Sequence, residues 1–150
     1  MLWYKYATMN PLEDLPKRAL PLYVGILGKT ECITQDKLST EILNPLLSIW
    51  GRLPEKLIVS SEGMSSVLFS IWAERNEIES QMIEADYRKL GRRAGFLRDA
   101  MILKECTHLL VFLGLRSQKN EEVALREAKK GKKVYTIHPK TWEISEITYE

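Results

Sequence analysis

Leu109-Leu110-Val111-Phe112-Leu113 is the stretch on which the fold turns. An uninterrupted apolar run of this length, closed by Gly114, is expected of a central parallel strand covered on both faces. Downstream of it, a polar loop from Leu115 to Asn120 leads to a helical period with Val123, Ala124 and Ala128 on one face, closed by Gly131. Val134-Tyr135-Thr136-Ile137 reads as the next strand. Trp142 to Glu150 then adds an edge element or trails along the surface.

Upstream, the same alternation repeats. Leu22 to Leu27 reads as a buried strand ending at Gly28. Residues 35–50 carry Leu38, Ile42, Leu46, Ile49 and Trp50 at helical spacing, with Asn44-Pro45 expected to break or restart the helix. Leu57-Ile58-Val59 is a second strand, followed by the tight polar turn Ser60-Ser61-Glu62-Gly63. A helix with Val67, Leu68, Ile71 and Trp72 on one face follows, with Ser65 or Ser66 as its cap. Residues 80–85 make a third strand, and a helix from Phe96 to Glu105 is expected to turn Phe96, Leu97, Ala100 and Met101 inward. Strands alternating with helices imply right-handed crossovers, hence an α/β, Rossmann-like three-layer sandwich whose mainly parallel sheet has about five strands, with helices on both faces. Residues 1–20, with Pro11 and Pro16, read as an arm or edge element, and residues 21–150 as the domain.

Composition narrows the class of protein. At 150 residues, 45% hydrophobic and 28% charged, the chain suits one globular domain. No segment approaches the ~20 apolar residues that cross a bilayer. Met1-Leu2-Trp3-Tyr4-Lys5-Tyr6 does not read as a secretory signal, and two isolated cysteines, Cys32 and Cys106, give neither a disulfide framework nor a zinc pattern, so a cytoplasmic location is expected. A net charge of +2 does not favour nucleic acid as a partner. Metal is not expected either, since His108 and His138 have no second ligand at metal spacing. Trp3, Tyr4, Tyr6, Trp50, Trp72 and Trp142 exceed what a small core obviously needs, which points to a homo-oligomer.

In an open parallel sheet, ligands bind beyond the carboxyl ends of the strands. Four segments are expected there: Gly28 to Glu31, Ser60 to Ser66, Asp86 to Asp99, and Gly114 to Glu122. The third, within Ala85-Asp86-Tyr87-Arg88-Lys89-Leu90-Gly91-Arg92-Arg93-Ala94-Gly95-Phe96-Leu97-Arg98-Asp99, packs Gly91, Gly95 and five basic side chains into one loop. Arg98 is suited to clamp a phosphate in bidentate fashion, and Asp86 to accept from a ribose diol or hold an arginine. The competing reading is a lattice of salt bridges, Asp86 to Arg98 or Asp99 to Arg93, that only orders the loop. Gly25 and Gly28 likewise serve either close packing and a turn or a direct ligand contact, because no complete dinucleotide fingerprint follows them.

The acid-aromatic-Gly-Ala-Gly-Arg-acid order from Asp86 to Asp99 resembles the signature of the SLOG superfamily of small Rossmann-like domains, in particular its YspA-like branch. Two positions depart from it, Tyr87 where tryptophan is usual and Asp99 where asparagine is usual. A third departure is Ser60-Ser61-Glu62-Gly63 in place of Ser-Gly-Gly, since Glu62 repels a phosphate unless a basic neighbour neutralises it. The resemblance implies a module that senses or sequesters a nucleotide or nucleotide-derived small molecule. It implies ligand-binding roles for Gly28, Lys29, Ser60, Ser61, Gly63, Asp86, Gly91, Arg93, Gly95, Arg98, Asp99, Gly114 and Asn120. Two alternatives stand beside it: a small N-glycosidic-bond hydrolase acting on a nucleotide or NAD-like ligand, with Glu62, Glu121 or Glu122 as acid-base candidate, and a homo-oligomeric interaction protein with a degenerate pocket.

Overall fold

A computed structural model describes residues 21–28, 30, 33–114 and 118–148. Expectations about the arm, Lys29, Glu31, Cys32 and residues 115–117 therefore lie outside the described residues. The sheet has six strands: β1 (Tyr23–Leu27), β2 (Lys56–Ser60), β3 (Glu79–Ile83), β4 (His108–Phe112), β5 (Lys133–Ile137) and β6 (Ile144–Ile147). They lie in the order β3-β2-β1-β4-β5-β6. The first five run parallel, including β4 between β1 and β5, as the apolar run at 109–113 implied. The sixth is an antiparallel edge strand supplied by the C-terminal segment, pairing Ile144 with Ile137 and Ile147 with Val134.

Alternation along each strand divides the core in two. Val24, Ile26, Leu57, Val59, Leu110, Phe112, Tyr135 and Ile137 face one buried cluster, whereas Leu27, Ile58, Leu109, Val111 and Val134 face the other. The first cluster is closed by α1 (residues 35–50), through Leu38, Ile42, Leu43 and Leu46, and by α2 (Met64–Arg75), through Phe69, Trp72 and Ala73. A short α3 (Tyr87–Leu90) leads into α4 (Arg93–Glu105), which closes the second cluster through Ile102. That cluster is completed by α5 (Lys119–Lys129) through Ala124 and Ala128.

Three helices depart from the sequence pattern for physical reasons. In α1 the helix runs on through Pro45 because Leu38–Leu43 widens into a π-helical turn, in which Asn44 N–H bonds to Ser39 O; this accommodates a proline that has no N–H of its own. Ile49 consequently faces solvent. In α2 the inward row is Ser65, Ser66, Phe69, Trp72 and Ala73, while Val67 is exposed; Ser65 and Ser66 are buried within the helix and make no cap, the N-cap position being Gly63. In α4 the expectation is inverted: Ala94 and Ile102 are buried with Arg98 between them on the same row, and Phe96, Leu97, Ala100 and Met101 point outward.

Of the aromatics that suggested an oligomer, Trp3, Tyr4 and Tyr6 lie outside the described residues, and the three tryptophans of the domain pack within it. Trp72 is buried, and Trp50 and Trp142 pack against the first cluster, Trp50 donating from its indole N–H to Tyr135 Oη at 3.3 Å. Among the described residues no helix is long and apolar enough to cross a membrane.

Candidate functional site

From β1 the chain steps outward through β2 to β3, then returns to the other side of β1 as β4. The connections therefore diverge between β1 and β4, which opens a crevice at their carboxyl ends. It is lined by Ile26, Leu27 and Gly28 from the end of β1, Ser60 and Glu62 after β2, Arg98 and Asp99 from α4, and Asn120 from the first turn of α5. Its volume is about 140 Å³, below the roughly 300 Å³ at which small-molecule pockets usually begin.

Gly28 holds the floor of this crevice. Its φ is +77°, and a Cβ there would lie 2.6 Å from the Phe112 carbonyl oxygen and 2.9 Å from the Asn120 amide nitrogen. Asn120 uses that amide to donate to Phe112 O at 3.0 Å, which ties the start of α5 to the end of β4. Gly25 serves packing instead, because a Cβ on it would come within 2.8 Å of Cys106 Cβ and 3.0 Å of Ile102 Cγ2. Close approach of α4 to β1 depends on that missing side chain. The Cys106 thiol in this contact is buried, which pushes its pKa up to about 11 and leaves it a poor nucleophile.

One polar network fills the mouth. Arg98 Nη1 donates to Glu62 Oε2, and Arg98 Nε donates to Asp99 Oδ1 at 3.1 Å. Tyr87 Oη donates to the same Glu62 oxygen at 2.9 Å. Glu62 is aimed there by the turn after β2, whose backbone N–H at Glu62 bonds Ser60 Oγ at 2.9 Å. The Arg98 side chain is only 15% exposed, whereas those of Glu62 and Asp99 are 45% and 42% exposed. Burial by itself would lower the arginine pKa, but Asp99 and Glu62 more than offset it, so the guanidinium is held above its ordinary range.

The salt-bridge partners differ from both pairs that the sequence suggested. Asp86 is exposed and caps α3, accepting from Lys89 N at 3.1 Å. Arg88, Lys89, Arg92 and Arg93 are exposed, so of the five basic residues in the loop only Arg98 enters the crevice. Gly91 terminates α3, Gly95 sits inside the first turn of α4, and Gly63 precedes α2. Ser61 and Gly114 are exposed beside the strand ends. The structure thus brings together Gly28, Ser60, Arg98, Asp99 and Asn120 from the ligand-binding set, and leaves Ser61, Gly63, Asp86, Gly91, Arg93, Gly95 and Gly114 outside the lining.

Of the three glutamates considered for acid-base chemistry, Glu62 lines the crevice and Glu121 and Glu122 are exposed in the first turn of α5. Tyr87 was missed as a polar contributor, although its place one residue after Asp86 in a ligand loop was the available signal. A basic cluster at the end of α5, formed by Arg126, Lys130 and Lys132, surrounds a buried acid. Glu127 is buried at its centre, accepting from Lys132 Nζ at 2.6 Å and Lys130 Nζ at 3.1 Å. Its burial opposes ionisation, but these lysines prevail and its pKa is lowered. No family model, curated protein or solved structure matches this chain.

Proposed function

We propose that the chain is a Rossmann-like, SLOG-type binding module that senses or sequesters a nucleotide or nucleotide-derived ligand at the crevice between β1 and β4. The observation that carries this reading is convergence: residues from four separate segments of the chain, Gly28, Ser60, Glu62, Arg98, Asp99 and Asn120, meet at the place where the sheet's connections diverge. In the three-layer arrangement, helices on both faces leave those strand ends as the open side of the sheet.

The charge balance defines how an anionic ligand enters. Arg98 is the basic neighbour that neutralises Glu62, and it is also the residue suited to hold a phosphate. A phosphate held by the same guanidinium meets the Glu62 carboxylate as a like charge, so phosphate binding swings the carboxylate toward solvent. Releasing it also enlarges a crevice that otherwise holds only a ribose-phosphate-sized portion. The base then rests outside, against the exposed Tyr87.

A thermal-shift screen with ADP, NAD, ADP-ribose and cyclic dinucleotides, followed by calorimetric titration, tests the reading. A stabilising ligand whose affinity falls in Arg98→Ala supports it, and no binding by any of the four classes overturns it. The position of Glu62 at the crevice favours one second reading, N-glycosidic hydrolysis with Glu62 as base toward water. Chromatographic detection of free base that disappears in Glu62→Gln would establish that alternative instead.

A further inference from the structure

The outward face of α4 is apolar where a solvated helix should be polar. Phe96 is 59% exposed, Leu97 42% and Met101 52%, with Ala100 exposed among them. We infer that this face joins two copies of the chain in an antiparallel, two-fold symmetric contact.

The order of residues on the helix selects a second copy as the occupant. Arg93, Leu97, Met101 and Glu105 are spaced four apart and form one ridge, with a base at its start and an acid at its end. All four are exposed. Run antiparallel against itself, this ridge sets Leu97 against the partner copy's Met101 and Arg93 against the partner copy's Glu105, and the mirrored pairs follow from the symmetry. A two-fold axis near residue 99 produces all these pairings at once, and Ala100, the smallest side chain of the face, lies closest to it. The ridge spans roughly 18 Å, enough for two charge pairs to flank an apolar centre.

Neither terminal charge is used within the protomer: among the described residues, Arg93 and Glu105 take part in no ion pair. The crevice stays accessible, because Arg98 belongs to the row that faces the sheet. Contact between the two regions runs through Phe96, whose ring lies 3.8 Å below Lys119 Nζ, one residue before Asn120.

Sedimentation equilibrium of the full chain, from about 1 to 200 μM, reads the association directly. The expected result is a monomer-dimer equilibrium that Leu97→Glu abolishes and Arg93→Glu weakens at least tenfold. The double variant Arg93→Glu/Glu105→Arg restores it, because reversed charges pair again across the axis. Since all three positions are exposed, circular dichroism and melting temperature should match those of the parent; Met101→Lys gives a second apolar disruption should Leu97→Glu fail to fold. A monomer at 200 μM overturns the proposal. So does a dimer indifferent to these substitutions, or one that the double variant fails to restore.

Discussion

Replacing Glu62 with Gln removes one negative charge from the mouth of the crevice while keeping the side chain's size and its ability to accept from Tyr87. In the free protein the Glu62 carboxylate lies against the Arg98 guanidinium, where a bound phosphate meets it as a like charge. Because Glu62 is 45% exposed, breaking its ion pair costs about 0.2–1 kcal/mol. Once displaced, the carboxylate still repels the bound anion. At about 7 Å and an effective dielectric of 20, Coulomb's law gives about 2 kcal/mol, which exposure and salt reduce by about half. The two terms together predict that Glu62→Gln binds ADP or ADP-ribose about tenfold more tightly, equivalent to 1.4 kcal/mol. Isothermal titration at 50 mM and 1 M salt is the assay, and the advantage should shrink at high salt, where the Debye length falls to about 3 Å. An affinity that is unchanged or weaker in Glu62→Gln refutes the exchange of carboxylate for phosphate at Arg98.

Four further outcomes follow from the same geometry. Arg98→Ala should weaken binding of the same nucleotides by about 1.5–3 kcal/mol in calorimetry, while urea denaturation changes by less than about 1 kcal/mol because its carboxylate partners are partly exposed. Gly28→Ala should lower stability in urea by more than about 2 kcal/mol, combining left-handed strain of about 1–2 kcal/mol with a clash against Phe112 O, and should free the Asn120 amide from that carbonyl in nitrogen-15 spectra. Glu127→Ala should cost about 1–3 kcal/mol in the same assay, because the buried carboxylate is the common acceptor of Lys130 and Lys132. His108 is depressed from 6.5 to about 4, by burial and then by Arg52 and Lys133. Between those pH values the unfolded chain binds a proton that the folded chain refuses, so stability is lost as pH falls from about 6.5 toward 4. The loss has an upper bound of about 3 kcal/mol, reduced to about 1–2 by partial exposure, and urea midpoints at pH 7 and 5 should converge in His108→Gln.

The strands were legible in the sequence because their apolar runs report burial directly. Leu109 to Phe112 needed no further context to read as a central strand, and Leu57 to Val59 needed little. The helix faces were less legible, for one shared cause. Near the strand ends, a helix turns polar or small residues inward to line a crevice or approach the sheet, so the most apolar face is not the inward one. Arg98 on the row of Ala94 and Ile102, and Ser65 and Ser66 on the row of Phe69, are both of this kind. The π-helical turn before Pro45 shifts the phase of α1 in a way that a fixed helical period does not contain. At the site, loop membership was readable and side-chain pairing was not. That Asp86 caps a helix while Glu62 reaches Arg98, 36 residues away in sequence, follows only from how the turns are packed.

The proposed ligand site is the crevice between the ends of β1 and β4. Nitrogen-15 spectra recorded during a titration with ADP-ribose test it most directly. Saturable shifts are expected at the backbone amides of Gly28, Ser60, Glu62, Asp99 and Asn120, together with the Arg98 Nη signals as Glu62 gives way to phosphate. Shifts confined to the groove beside β3, around Val67, Ile71 and Met82, or none at millimolar ligand, would contradict it.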